Sequence, residues 1–242
     1  MEEHINRRTK LNFEPLTFTS SNGTILPYCS KLVNEELPGK EAVLLFLHGA
    51  GERGNDNCKQ LVHGSEALVE YLEQKQIKCR VIFPQCPCDI KWANLDWAQT
   101  VHQFSTTPTN PMNAVMELLT SIINSSNVDK QKVYISGISM GGYGSWDILI
   151  RMTDTFAAAL INCGGTDTTL VHKLKDIPIT VYHGASDTVV PVENSREIVK
   201  ALKAAGSTKI EYHEIKDCGH NCWTMCYNDF YNWDKLFSFK KN

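Results

Sequence analysis

No stretch of the 242 residues reaches the roughly 18 consecutive apolar positions that a membrane-spanning helix needs, so no membrane partner is expected. The opening Met1-Glu2-Glu3-His4-Ile5-Asn6-Arg7-Arg8 is charged and lacks the apolar run of a secretory signal. Charge of one sign is not in excess either. With 24 Lys+Arg against 27 Asp+Glu the formal net charge is −3, which gives no electrostatic reason to expect nucleic acid as a partner. Internal repeats, low-complexity tracts and charge blocks are missing. So is any paired C-x-x-C knuckle, despite nine cysteines. Cys218, His220 and Cys222 are spaced closely enough to raise a zinc site. The plainer reading is small buried thiols kept reduced in the cytoplasm, with no metal and no cofactor.

What is present is ordinary globular composition: 42% hydrophobic and 21% charged residues. That suits one α/β domain over 1–242. Short continuous apolar runs occur at Ala42 to Leu47, Arg80 to Phe83, Lys132 to Ser136, Phe156 to Ile161, Pro178 to Tyr182 and Lys209 to Ile215. Runs of this length suit strands buried on both faces of a parallel sheet. Between them lie helical patterns. Cys58 to Gln74 repeats Leu61, Val62, Leu68, Val69 and Leu72. A second helix opens at Asn110-Pro111 and carries Val115, Leu118, Leu119 and Ile122. A third, Glu193 to Ala205, ends before Gly206. Phe13 to Thr19 and Thr24 to Val33 read as a hairpin around Ser21 to Gly23, within residues 1–35. The expected fold class is therefore α/β, a mostly parallel doubly wound sheet with an N-terminal antiparallel hairpin at its edge and helices on both faces. Ligands in such sheets bind beyond the C-terminal ends of the strands.

At one such end stands Gly137-Ile138-Ser139-Met140-Gly141, a G-x-S-x-G between an apolar strand and the helix Met140 to Arg151. A sharp strand-to-helix turn lifts a serine hydroxyl above the sheet, and the flanking glycines avoid clashes. Ser139 is the candidate nucleophile. An earlier strand end carries His48-Gly49-Ala50-Gly51-Glu52-Arg53-Gly54, where a second oxyanion donor belongs. The expected donors are the backbone N–H groups of Met140 and Ala50, with Gly51 as substitute for the latter. His48 reads as a structural tie, and Arg53 as an ion-pair partner of Glu52 or Asp56.

The acid and the base follow from chain order, serine, then acid, then histidine. Asp187 follows the Pro178 to Tyr182 strand and leads over Asp167 and Asp176. Asp176 precedes a strand and so faces the wrong end. His220 follows the last strand. His213 falls inside that strand and should point into a packed face, whereas His183 reads as a brace for the acid loop. Asp217 lies too near His220 in sequence to be its partner and suits a turn cap. Residues 84–109 form a long connection that should hang near the site. Trp92 and Trp223 are balanced between an aromatic substrate wall and simple packing, and Trp97 favours packing.

Taken together, His48 to Gly54, Gly137 to Gly144 and Cys218-Gly219-His220-Asn221-Cys222-Trp223 resemble the small lidless α/β-hydrolases. That group includes feruloyl esterases, polyhydroxybutyrate depolymerases, dienelactone hydrolases, phospholipase/carboxylesterase-like proteins and genome-predicted peptidases. The resemblance covers Ala42 to the C-terminus. It implies carboxylic-ester hydrolysis, with Ser139, Asp187 and His220 in the triad roles. Dienelactone hydrolases use cysteine as nucleophile, and this chain departs from them with Ser139. The expectation is a serine esterase acting on small acyl or aromatic-acyl (sugar) esters. A prolyl-oligopeptidase-like peptidase and a non-catalytic binding protein stand as alternatives. Gly51, Trp92 and Trp223 are the expected substrate contacts, and the oligomeric state is left open.

Overall fold

The computed structural model describes residues 2–241. Eight strands form one sheet: β1 (Glu14–Thr19), β2 (Ile25–Val33), β3 (Glu41–Leu47), β4 (Cys79–Pro84), β5 (Val128–Ile138), β6 (Ala158–Asn162), β7 (Ile179–Gly184) and β8 (Ile210–Ile215). Their spatial order is β1-β2-β4-β3-β5-β6-β7-β8. The β1–β2 and β2–β4 pairs are antiparallel, and every pair from β4 to β8 is parallel. The expected hairpin does lie at the sheet edge.

Among the described residues seven α-helices surround the sheet: α1 (Glu2–Lys10), α2 (Ser65–Gln74), α3 (Asn110–Ile123), α4 (Met140–Arg151), α5 (Glu193–Ala204), α6 (Trp223–Asn228) and α7 (Phe230–Ser238). Side chains alternate along a strand, so one strand feeds two cores. From β3, Val43, Leu45 and Leu47 join the core under α3, α4 and α5. Ala42, Leu44 and Phe46 join the opposite core under α2, α6 and α7. This is why β3 reads as an apolar run from Ala42 to Leu47: all seven residues of the strand are buried, Glu41 in an ion pair with Arg80.

Three segments differ from the sequence reading. The helix expected from Cys58 begins only at Ser65. Gly64 takes a left-handed φ of 76°, and a Cβ there would lie 2.8 Å from the Phe46 ring, so a short 3-10 turn at Lys59–Leu61 precedes the helix. Helix α1 has no apolar stripe to announce it. It is held by long basic side chains, with Arg7 Nη1 donating to Val62 O at 3.1 Å and Arg8 Nη1 to Asn57 O at 3.0 Å. Helices α6 and α7 are too short for periodicity to show. They dock through Trp233, whose Nε1 donates to Tyr227 O at 2.9 Å, and through Tyr227, whose hydroxyl meets Ser136 Oγ at 2.8 Å.

Candidate active site

Strand register brings the motif loops together before any side chain is considered. Leu47 at the end of β3 pairs with Gly137 of β5, so the His48 loop and the Ser139 turn are neighbours. Gly184 at the end of β7 pairs with Ile215 of β8, which sets the loops of Asp187 and His220 side by side. Ser139 joins β5 to α4 at φ 53° and ψ −119°, a conformation that costs a non-glycine residue about 1–3 kcal/mol. The turn closes so tightly that a Cβ on Gly141 would sit 1.9 Å from Leu47 O, and one on Gly137 2.3 Å from Gly141 O. Only glycine at both positions permits this approach.

The three side chains meet. His220 Nε2 is 2.9 Å from Ser139 Oγ, and His220 Nδ1 is 2.8 Å from Asp187 Oδ2. Asp187 Oδ1 accepts the N–H groups of Val189 at 2.8 Å and Val190 at 2.9 Å. Burial pushes this carboxyl upward. The donors His183, His220, Val190 and Val189 outweigh it and hold the group well below the usual carboxylate range. The Asp187 side chain is fully buried and that of His220 is 22% exposed, so the histidine is the member that meets solvent and ligand. The competitors stand elsewhere. Asp167 Oδ2 accepts Phe104 N–H at 3.0 Å, and Asp176 gives its carbonyl to Lys209 Nζ.

The His48 loop is tied as expected. His48 Nε2 accepts the Cys86 N–H at 2.9 Å, so the ring proton is on Nδ1, which donates to Gly49 O at 2.6 Å. Burial lowers the imidazole to about 4 and keeps it neutral. Carbonyl and N–H point in opposite directions across a trans peptide. With Gly49 O turned to the His48 ring, the Ala50 N–H is turned away from it. Met140 is the first residue of α4, so its N–H has no partner within the helix. Arg53 differs from expectation, because its Nε donates to Ala50 O at 3.0 Å and Nη1 reaches Ile90 O at 3.5 Å. Its expected carboxylate partners are engaged elsewhere: Glu52 faces His63 at 3.6 Å, and Asp56 pairs with Lys59 at 3.4 Å.

A cavity of about 250 Å³ opens above Ser139, lined among others by Ala50, Gly51, Trp97, Val189, His220 and Trp223. Trp223 stands edge-on to the His220 ring at 5.1 Å. Trp92 does not line it. That side chain is fully buried, donates Nε1 to His48 O at 3.1 Å and packs over Gly144. The substrate contact expected of Trp92 is therefore corrected to a core role, whereas Trp97 packs against the core as expected and also borders the cavity. Glu52 and His63 also line it. Burial raises the Glu52 carboxyl and lowers the His63 imidazole. Glu52 lies within the His48 to Gly54 motif and could have been found there, whereas His63 had no signal.

Two further expectations change. His213 does not enter a packed face: β8 is the sheet edge, and the ring stacks on Tyr182 at 4.4 Å with Nε2 at 2.6 Å from Glu211. Cys218, His220 and Cys222 do not converge. The Cys218 thiol turns to Asn221 O and the Cys222 thiol to Asn162 Oδ1, at 3.7 and 3.8 Å. All nine cysteines are free thiols.

Comparison with known proteins follows this geometry. A thermostable esterase of known structure is 34% identical and superposes with a TM-score of 0.86 over 94% of this chain. The chain spans 63% of that esterase's length. A ferulic acid esterase shares 18% identity at TM-score 0.66, covering 93% of this chain and 95% of its own. An acylaminoacyl peptidase from Pyrococcus horikoshii shares 16% identity at TM-score 0.66, covering 93% of this chain and 41% of its own. At those identities the last two show the fold alone. No curated protein matches the sequence. The phospholipase/carboxylesterase family model matches residues 29–233, and the chain belongs to that family.

Proposed function

We propose that this protein hydrolyses carboxylic esters through an acyl-enzyme, with Ser139 as nucleophile, His220 as general base and Asp187 as the acid that orients it. The observation that carries the reading is the unbroken relay from Ser139 Oγ to His220 at 2.9 Å and on to Asp187 at 2.8 Å, mounted on a strained turn. His220 Nε2 takes the hydroxyl proton as Ser139 Oγ attacks the ester carbonyl. The N–H groups of Met140 and Ala50 receive the developing oxyanion, each worth about 2.7–4 kcal/mol in such sites. His220 then returns the proton to the leaving alcohol, and water repeats the sequence to release the acid.

The cavity favours small substrates. Its volume of about 250 Å³ lies below the roughly 300–1,000 Å³ of pockets for drug-sized ligands, and Trp97, Trp223, Val189 and Ile138 give it apolar walls. A short acyl group or a single aromatic ring suits such walls, which supports small acyl and aromatic-acyl esters. The thiol-rich composition suits work in the reducing cytoplasm.

The test is hydrolysis of p-nitrophenyl acetate by the wild type and Ser139→Ala. The substitution is expected to lower kcat by at least about 10⁴-fold with the fold retained. Equal turnover by both proteins would refute the nucleophile. A parallel panel of acetyl, butyryl and feruloyl esters against peptide anilides is expected to show preference for the esters, and faster cleavage of anilides would favour the peptidase alternative.

A further inference from the structure

One cysteine stands beside the triad with no part in the hydrolysis. Cys163 follows β6, is fully buried and holds a left-handed φ of 39°. Its thiol, the Asp187 carboxylate and a His220 ring nitrogen offer donor atoms that all lie within 4.8 Å of one another. Among the described residues no other group of three such side chains is gathered so closely. The geometry points to an inhibitory binding site for a thiophilic divalent cation such as Zn²⁺, held by Cys163, Asp187 and His220. This rests on the hydrolase reading, since it concerns regulation of the same centre.

Three points support the site. The first is size. Three atoms within 4.8 Å of one another share a central point no more than about 2.8 Å from each. Zinc bonds to nitrogen at about 2.0–2.1 Å and to thiolate sulfur at about 2.3 Å, so each ligand need move by at most about 0.5–0.8 Å, with the Nδ1–Oδ2 pair, 2.8 Å apart, opening to flank the ion. The second is access. His220 lies in the loop after β8 and its side chain is 22% exposed, so an ion can enter from that side. The third is charge. Asp187 pairs with His183 and His220, and among the described residues no lysine or arginine pairs with it. A dication bound by one thiolate and one carboxylate leaves a neutral buried cluster, with water as the fourth ligand.

Binding would stop hydrolysis through proton placement. The nitrogen facing Asp187 is Nδ1, at 2.8 Å. A metal–Nδ1 bond takes that lone pair, and the ring proton moves to Nε2. Cys163 loses its S–H proton to solvent. Nε2 then carries a hydrogen where it must accept one from Ser139. Hard cations such as Mg²⁺ favour oxygen ligands and keep their water, so they are not held by this donor set.

The experiment titrates Zn²⁺ against the full chain in two arms. In the first, p-nitrophenyl acetate hydrolysis is followed in the wild type, in Cys163→Ser and in a Cys88→Ser/Cys218→Ser protein that lacks the more accessible thiols. Zinc is expected to inhibit the wild type and the double variant equally and reversibly with EDTA. Cys163→Ser is expected to keep its metal-free kcat and to need at least tenfold more zinc for half-inhibition. Mg²⁺ should have no effect on any of them. In the second arm, competition with a chromophoric chelator measures zinc bound to Ser139→Ala and to Ser139→Ala/Cys163→Ser. One equivalent is expected to be lost with Cys163. This arm needs no turnover, so it stands even if the ester reading fails. Unchanged zinc sensitivity in Cys163→Ser overturns the site, as does inhibition that vanishes with Cys88 and Cys218. Should Cys163→Ser fold poorly, Cys163→Ala answers the same question.

Discussion

His183 grips the buried side of Asp187. Its Nε2 stands 3.3 Å from Oδ2, the same oxygen that meets His220 Nδ1 at 2.8 Å. Nε2 also lies 3.0 Å from Val190 O, and Nδ1 lies 2.7 Å from Ser195 Oγ. Both ring nitrogens are thus engaged inside a fully buried side chain. His183→Ala would leave a cavity together with an unpaired Ser195 hydroxyl and Val190 carbonyl. The expected loss is roughly 2–4 kcal/mol in urea unfolding. Because Asp187 would shift, kcat is expected to fall about 10–100-fold with KM unchanged. His183→Gln, which keeps one donor, should recover part of kcat. A stability loss with unaltered kcat would show that His183 only packs.

The neutral His48 ring makes a pH prediction with a definite sign. Burial holds its folded value at about 4, against an ordinary 6.5. Between those values the unfolded chain binds a proton that the folded chain does not, so stability falls as pH drops from about 6.5 to about 4. The full loss from this residue is roughly 3 kcal/mol. Denaturant unfolding at pH 7 and at pH 4.5 should show a smaller difference in His48→Asn than in the wild type. Activity at pH 7.5 should fall further in His48→Ala than in His48→Asn, because asparagine can still donate to Gly49 O. Equal pH sensitivity in wild type and His48→Asn would remove the residue from this account.

The parts of the fold legible in the sequence are those that local chemistry dictates. Strand β3 is apolar at nearly every position because both its faces are covered, and Ser139 sits in a glycine pattern that only a tight strand-to-helix turn requires. Chain order then placed Asp187 and His220 at strand ends that the β7–β8 register makes adjacent. What could not be read depends on contacts distant in sequence. Trp92 and Trp97 are five residues apart in one loop, yet one donates into the core at His48 O and the other faces the cavity. Arg53 gives no sign that its partners are backbone carbonyls rather than carboxylates. The nearness of Cys163 to His220 follows from β6 lying between β5 and β7, which no spacing in the sequence encodes.

Arg151 at the end of α4 anchors the long loop to the helix that follows Ser139. It meets Asp147 through Nε at 2.7 Å and Nη2 at 3.1 Å, donates to Ser105 O and Thr106 O, and lies 4.3 Å above the Phe104 ring. Both side chains of the ion pair are largely buried. Arg151→Leu would strand the Asp147 carboxylate, at an expected cost of about 3–5 kcal/mol. The freed loop would also disturb Trp97 in the cavity, raising KM severalfold while kcat changes less. Adding Asp147→Asn should restore part of the stability without restoring KM, because the loop contacts stay lost. Recovery of both together in the double variant would tie KM to the ion pair alone.

Trp92 and Trp223 separate packing from recognition. Trp92 is wholly enclosed and donates to His48 O, so Trp92→Ala should cost about 3–5 kcal/mol and lower kcat/KM alike for every ester that the remaining folded protein accepts. Trp223 stands edge-on to His220 at 5.1 Å and to His63 at 5.5 Å, and forms part of the cavity wall. Trp223→Phe keeps an aromatic ring but withdraws area from that wall. The expected result is a larger fall in kcat/KM for an aromatic acyl ester than for the acetyl ester, by a factor of about 3–10. That factor corresponds to about 0.7–1.4 kcal/mol, roughly the contact area of one to two methylenes. Steady-state kinetics on p-nitrophenyl acetate and a feruloyl ester, run on both variants, measures the contrast. Equal losses for the two esters in Trp223→Phe would mean that the indole only supports His220, and the aromatic-acyl preference would then lack its structural basis.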